Sequence, residues 1–199
     1  MPTTDLAVFP LSTVVFPGGI LPLRIFEPRY LDMVSHCMKN ATDFVICAAQ
    51  PAASEDGFAE PRDIGTRVSI IDFDRLDDGQ LGITVRGTER VAIADTHQTG
   101  NGQWWATATP WPEAEDGPCP IEFAVLKQVA AAMIKDSGQS YEAQASDYDS
   151  ASWLSARLTE LLPFDAATKH ELLAIDDPKE RLCRIRPMID IENSGGRAG

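Results

Sequence analysis

The stretch "FPLSTVVFPGGILPLRIFEPRY", from Phe9 to Tyr30, decides how the N-terminal half of the chain folds. No charged residue occurs between Leu6 and Leu23, a length that would suit a membrane-spanning helix. Three prolines and a Gly-Gly pair interrupt this run, and each proline in a helix interior would cost about 3 kcal/mol. The pattern therefore predicts short buried strands with prolines at their ends and edges, namely Leu6 to Phe9, Val14 to Phe16 and Ile20 to Phe26.

Length, composition and charge limit the class of protein. The 199 residues are 44% hydrophobic, which suits one large soluble domain or two small ones. Seventeen basic against thirty acidic residues give a net charge of -13, which repels phosphate backbones and anionic lipids. We therefore expect no nucleic acid and no membrane as partner. The start "MPTTDLAVFP" has no basic segment ahead of its apolar run, so we expect a cytoplasmic protein without a secretory signal.

Neither catalytic chemistry nor a cofactor or metal site is predicted. The four cysteines are far apart and form no C-x-x-C, so we expect reduced thiols. In "HELLA", from His170, Ala174 stands where a second zinc ligand would be needed. His36 and Cys37 are adjacent in a predicted helix, where neighbouring side chains do not face each other, so they are not expected to form a catalytic pair.

The N-terminal part reads as strands around one helix. "PRYLDMVSHCMKN", from Pro28 to Asn40, predicts an amphipathic helix; its apolar face comprises Tyr30, Met33, Val34, Cys37 and Met38. "DFVICAA" then predicts a buried strand, and "QPAASEDGFAEPRD" predicts a surface loop. Two hairpins follow, with "DDGQ" and "TGNG" as their turns, and the second ends in "QWWATATPW".

The composition changes at "PWPEAEDGPCP", which cannot be the interior of a helix or strand. We predict a β-rich domain over 1–112, a helical domain over 118–190 and a flexible tail over 191–199. The first helix is expected over Ile121 to Lys135, with Phe123, Leu126, Val129 or Ala130, and Met133 on its inner face. The second has Ser152 as its predicted cap; its apolar stripe comprises Trp153, Leu154, Arg157, Leu158, Leu161 and Leu162. Asp165 and Asp177 each start a further helix.

Three ordered blocks resemble the LON substrate-binding domain, the N-terminal module of the Lon ATP-dependent protease. They are "FPLSTVVFPGGILPLRIFEPRY", "IGTRVSIIDFDRLDDGQLGITVRGTERVAI" and "LLPFDAATKHELLAIDDPKERL". The resemblance implies an α+β fold: a six-stranded, mixed, PUA-like pseudo-barrel with a packed helix, followed by a helical bundle. It also implies recognition of polypeptide substrates.

The sequence lacks the catalytic motifs of that protease. No G-x-x-x-x-G-K-[ST] loop is present to bind the phosphates of ATP. "EDGPCP" faintly resembles the residues before a Lon-type nucleophile but carries Cys119 where a serine is required. We therefore expect a domain that is not an enzyme.

Candidate binding residues lie at two places in the β-rich part. "LRIFEPRY" contains Arg24, Phe26, Glu27, Arg29 and Tyr30 where a buried strand ends, and its charged groups either pair with one another or line a groove for a carboxylate or a peptide backbone. Trp104 and Trp105 are neighbours in a strand, so their rings are expected on opposite faces, one in the core and the other as an exposed anchor.

Three functions remain open from the sequence. The first is a non-enzymatic module that binds unfolded or extended polypeptide and cooperates with protease or chaperone machinery, by strand addition or by apolar side chains entering a groove. The second is an enzyme or small-ligand receptor with a pocket in the β-domain, which predicts convergent polar groups. The third is a self-associating scaffold.

Overall fold

The computed structural model describes residues 4–51, 59–112, 115–137 and 147–195. The chain divides into two compact units. The first comprises Met1–Pro112 and Asp165–His170, and the second comprises Glu113–Phe164 and Glu171–Gly199.

The first unit is a mixed six-stranded sheet. Its strands are β1 (Thr4–Leu11), β2 (Ile20–Ile25), β3 (Phe44–Gln50), β4 (Glu60–Arg75), β5 (Leu81–Gln98) and β6 (Trp104–Pro110). The order is β2-β5-β4-β3-β1-β6, and β5 also pairs with β6. Strands β1 and β3 are parallel, and the other pairs are antiparallel. The pairings therefore close a ring of five strands, and β2 extends the sheet from the first half of β5.

The segment between β1 and β2 corrects one prediction. Val14, Val15 and Phe16 are buried as expected, but they form a loop and not a strand. Turn and side-chain contacts replace a strand ladder here: Gly18, at φ 73°, donates to the Gly87 carbonyl, and the Thr66 hydroxyl donates to the Val15 carbonyl. These partners are far away in the sequence, so the apolar pattern alone could not distinguish a buried loop from a buried strand.

Helix α1 spans Pro28–Asn40, as its sequence predicts, with proline in the first turn. Tyr30, Met33, Val34 and Cys37 are buried in the cluster that also contains residues of β1, β3 and β5. Met38 is 48% exposed, so its predicted place on the apolar face is wrong. The reason is geometric, because Met38 follows Cys37 by about 100° around the helix and turns out of the buried stripe.

The strands of the first unit bury two apolar clusters. Ala7 and Phe9 of β1 belong to the cluster beneath α1, whereas Leu6 and Val8 belong to a second cluster with Val91 of β5. This alternation follows from the two-residue period of a strand. Because both faces of β1 are buried, its sequence is a continuous apolar run.

The second unit is helical. Its elements are a 3-10 turn (Ile121–Phe123), α2 (Ala124–Ser137), a second 3-10 turn (Asp147–Asp149), α3 (Ala151–Leu161), the last part of α4 (Ala166–Ala174) and α5 (Pro178–Gly195). Phe123, Leu126, Leu154 and Leu158 lie in one buried cluster, together with Leu182 and Ile185 of α5. The buried residues of α2 are Leu126, Ala130 and Ile134, while Val129 and Met133 are partly buried.

The starts of the helices agree with the sequence except for α2 and α3. Helix α2 starts at Ala124 and not at the predicted Ile121, because Ile121–Phe123 form a 3-10 turn. The cap of α3 is Ser150 and not the predicted Ser152, because the Ser150 hydroxyl accepts the Trp153 amide at 2.9 Å. Asp165 accepts the Thr168 amide and Asp177 accepts the Lys179 amide, so both aspartates start helices as predicted. The backbone of α5 is helical to Gly195, and residues 196–199 of the predicted tail lie outside the described residues.

Candidate functional site

The end of the sheet formed by β2, β5 and the second half of β4 carries a depression of about 310 Å³. Two rows of directly opposed residues cross it. Pro22, Thr84 and Asp72 form one row, and Arg24, Gly82 and Asp74 form the next. Opposed residues of antiparallel strands lie on the same face. The side chains of these rows therefore flank Gly82, against which the Leu76 side chain packs.

Arg24 lies at this depression and is bound to the β4–β5 turn. Its Nη1 atom lies 2.8 Å from Asp78 Oδ2, and its side chain is 59% exposed. Phe26 directly follows β2, and Phe73 lies on β4; each is 61% exposed. Exposed aromatic rings are uncommon and often mark binding surfaces. The tip of the sheet thus presents two aromatic rings and an exposed cation.

Arg29 lies at a second depression, of about 340 Å³, between the start of α1 and the β5–β6 turn. Glu27 and Tyr30 contact Arg29 but do not line this depression. Arg29 Nε donates to Glu27 Oε2 at 2.9 Å, and Arg29 Nη1 donates to the Gly102 carbonyl at 3.2 Å. The guanidinium lies 4.5 Å from the centroid of the Tyr30 ring, which stacks on Phe9. Burial raises the pKa of the Tyr30 hydroxyl. Arg29 and Tyr30 therefore hold the start of α1 to the sheet.

The charged residues of "LRIFEPRY" thus do not form one cluster. Glu27 and Arg29 pair with each other, as one of the two interpretations predicted. Arg24 instead pairs with Asp78, which is 54 residues away in the sequence. Of the charged residues predicted for binding, the structure places Arg24 at the depression beside β2 and Arg29 at the one beside α1.

Trp104 and Trp105 pack against different apolar clusters, so their rings lie on opposite faces as predicted. Trp104 Nε1 donates to the Ala59 carbonyl at 3.0 Å, and the Trp105 ring meets the His36 ring edge-on at 5.4 Å between centroids. Both residues are half-buried, so neither is the exposed anchor that the sequence suggested.

The residues considered for chemistry have structural partners. Cys37 donates weakly to the Asp43 carbonyl, and burial raises the pKa of its thiol, while the neighbouring His36 ring faces Asn40 and Trp105. His170 lies 3.2 Å from the Asp63 carboxylate. The described residues contain no group of three ligands suited to a metal ion. Within the same ranges, no helix has the length and apolarity needed to cross a membrane.

Sequence reasoning missed the acidic side of the depression beside β2. Asp72 and Asp74 are exposed on β4, and Asp77 and Asp78 lie in the turn that follows. The signal was present in "DFDRLDDGQ", where four aspartates and one phenylalanine occur close together in the sequence. It was read only as the end of a strand and its turn, because nothing local places these groups beside Arg24.

The fold, the six-stranded sheet followed by helices, agrees with a family comparison. The model of the ATP-dependent protease La (LON) substrate-binding domain matches residues 5–190. The chain therefore belongs to the LON substrate-binding domain family, as its three sequence blocks indicated.

Solved structures support this assignment. A Lon N-terminal domain protein from Xanthomonas campestris is 33% identical, with a TM-score of 0.72 over 92% of this chain and 98% of that one. The N-terminal domain of the Mycobacterium avium complex Lon protease superposes with a TM-score of 0.60 over 94% of this chain and 97% of that one; at 22% identity it supports the fold alone.

Among curated proteins, the Lon protease of Brucella suis is 25% identical over 198 residues, covering 94% of this chain and 24% of that protein. A LON peptidase N-terminal domain and RING finger protein from Schizosaccharomyces pombe is 27% identical over 216 residues, covering 88% of this chain and 43% of that protein. The chain thus spans less than half the length of these two relatives.

Proposed function

We propose that this domain is a non-enzymatic module that recognises unfolded or extended polypeptide in the cytoplasm, in cooperation with protease or chaperone machinery. The observation that carries the proposal is the position of β2. Among the described strands β2 pairs with β5 alone, and it carries the exposed Arg24 and leads into the exposed Phe26. A strand at the edge of a sheet can accept an extended peptide through main-chain hydrogen bonds.

The family and the charge support the same function. The matched family is described as a substrate-binding domain, and the match covers nearly the whole chain. A net charge of -13 disfavours nucleic acid as a ligand. We further propose that the sheet is a PUA-like pseudo-barrel, because the pairing of β5 with β6 closes the ring of strands. We also propose that the second unit is a helical bundle, because α2, α3 and α5 share one buried core.

A binding experiment with matched variants tests the function. A fluorescently labelled model protein, either unfolded or native, is titrated with the wild type, with Arg24→Ala/Phe26→Ala and with Met38→Ala/Lys39→Ala. The third protein loses an exposed apolar residue and a cation from α1, away from β2. We expect anisotropy to rise with the unfolded form only, and the change at β2 to weaken binding about tenfold.

Two results would contradict this proposal. One is no binding of unfolded protein at tens of micromolar. The other is an equal loss of binding in the two double variants, since that would remove β2 from the binding surface.

The second depression favours a different candidate function, binding of a small ligand. Polar groups of Arg29, Asp32, His36, Asn101 and Gln103 line it together with Trp105. Asn101 already bonds Asp32 at 3.2 Å, so a ligand would compete with this contact. A thermal-shift screen of small polar metabolites tests it: a hit whose effect disappears in Asp32→Asn supports a ligand there, and a screen without hits opposes it.

A further inference from the structure

We infer that the depression between β2, β5 and the β4–β5 turn binds a lysine or arginine side chain of the polypeptide. This inference rests on the proposed function and adds the chemical class of segment that is recognised. Three features of the site carry it: the floor, the carboxylates and their present partners.

The floor of the depression is apolar, and Leu76 covers the glycine at its centre. A Cβ atom added to Gly82 would lie 2.8 Å from Leu76 Cδ2, so Leu76 lies directly against the glycine. Pro22, in the same row as Asp72, also lines the depression. A volume of about 310 Å³ is at the lower end of ligand pockets, and it suits a single long side chain better than a larger group.

Carboxylates border this floor. Asp72 lies opposite Thr84, Asp74 lies opposite Gly82, and Asp77 and Asp78 follow in the turn. The cations nearby are Arg24, which is bound to Asp78, Arg75, and Arg86, which lies two residues from Thr84 on β5. Four carboxylates against three guanidinium groups leave this surface negative, which complements a basic ligand and repels an acidic one.

The two carboxylates on β4 have few partners of their own. Asp72 Oδ1 accepts the Phe73 amide at 2.9 Å, and Asp74 Oδ1 accepts the Arg75 amide at 2.7 Å. In the described part of the chain, neither of these two aspartates forms an ion pair. Their charges are thus available to a cation from outside.

An apolar floor with an acidic border matches the shape of a basic side chain. Lysine and arginine carry an apolar stem that packs on hydrophobic surface and a charged end that reaches polar groups. In the order β2-β5-β4, a peptide strand added to the free edge of β2 would lie about 14 Å from β4, which is beyond the reach of a lysine or arginine side chain. The basic side chain therefore comes from a segment of the polypeptide that lies over the face of β2 and β5, from which its cation can reach Asp72 and Asp74.

The test uses three fluorescent peptides of one alternating apolar sequence, with lysine, norleucine or glutamate at a central position. They are titrated against the wild type, against Asp72→Asn/Asp74→Asn and against Glu171→Gln/Glu180→Gln. Both double variants remove two exposed carboxylates and change the net charge equally, but Glu171 and Glu180 lie on α4 and α5. The asparagines keep an oxygen acceptor for the amides of Phe73 and Arg75, and unchanged circular dichroism confirms folding.

We expect the lysine peptide to bind the wild type about tenfold more tightly than the glutamate peptide. This ratio should fall to about two in Asp72→Asn/Asp74→Asn, remain near ten in Glu171→Gln/Glu180→Gln, and shrink as NaCl is raised from about 0.05 to 0.5 M.

The outcomes separate this inference from the proposed function. If unfolded protein binds but the lysine peptide shows no preference, or the two double variants lower the ratio equally, the inference is overturned while polypeptide recognition stands. If neither unfolded protein nor any peptide binds, both are overturned.

Discussion

Gly87 illustrates how one residue permits a buried loop in this fold. A Cβ atom at this position would overlap the Phe16 carbonyl oxygen and approach Val15 Cγ1 to 3.0 Å. The backbone of the loop after β1 therefore rests directly on β5. It also bonds there, because the Gly87 amide donates to the Gly19 carbonyl.

Replacement of Gly87 should be among the most damaging single substitutions. We expect Gly87→Ala to lower the free energy of unfolding by about 3 kcal/mol, because backbone atoms must move to admit the methyl group. Gly100→Ala is the matched control, since nothing lies within 4 Å of its added Cβ atom, and its effect should stay within about 0.5 kcal/mol. Urea unfolding measures both, and equal effects would contradict the close approach at Gly87.

The buried thiol of Cys47 should make the free energy of unfolding depend on pH in the alkaline range. Burial in β3 raises the pKa of its thiol from 9.0 to about 12. Above pH 9 the unfolded chain loses this proton while the folded chain keeps it. The stabilisation is therefore complete below pH 9 and is lost as the pH rises towards 12, with a slope of up to about 1.4 kcal/mol per pH unit.

The measurement compares the slope of unfolding free energy against pH in the wild type and in Cys47→Ala. The alanine variant will be less stable at every pH because it leaves a cavity. Its slope above pH 9 should nevertheless be shallower. Burial also raises the pKa of Tyr30 and Cys37, and their contributions remain in both proteins. Parallel slopes would show that the Cys47 thiol does not carry this dependence.

Among the elements, α3 allows a test of where a helix begins. Ser150 Oγ accepts the Trp153 amide and donates to Asp116 Oδ2 at 2.7 Å, whereas at Ser152 it is the backbone amide that bonds Asp116. We expect Ser150→Ala to cost about 1 kcal/mol and Ser152→Ala less than about 0.5 kcal/mol. Thermal unfolding followed by circular dichroism distinguishes them, and the reverse order would restore the start predicted from sequence.

Elements defined by local signals could be predicted, and those defined by distant partners could not. Pro28 and the apolar spacing were sufficient to place α1 at its observed bounds. The loop at Val14 to Phe16 depends on Thr66 and Gly87, which no local pattern connects to it.

The candidate site was predictable only in part for the same reason. "LRIFEPRY" identified Arg24 and Phe26, but the sequence could not show that β4 brings Asp72 and Asp74 to the same depression. That placement depends on the pairing register, which shifts between Ile70 and Asp72. A shift of one residue changes the face on which every later side chain lies.

At the scale of the whole chain, the first compact unit draws on two separate parts of the sequence. Residues 165–170 belong to it, although they follow most of the helical unit. Lys169 is buried and donates to Thr13 Oγ1 at 3.2 Å, and His170 lies beside Asp63. We therefore propose that a fragment ending at the predicted boundary, residue 112, would contain all six strands but would lack the stabilising contacts that residues 165–170 make with them.

A fragment of residues 1–112 tests this arrangement. We expect it to fold but to be about 2 kcal/mol less stable than the same strands in the whole chain, because it loses hydrogen bonds to charged groups. Amide hydrogen exchange in β1 and β3 reports this stability in both proteins. A peptide of residues 163–176 should restore part of the protection, and the same peptide with Lys169→Ala and His170→Ala should restore less. A fragment as well protected as the whole chain would show that residues 165–170 contribute no stability to the β-rich unit.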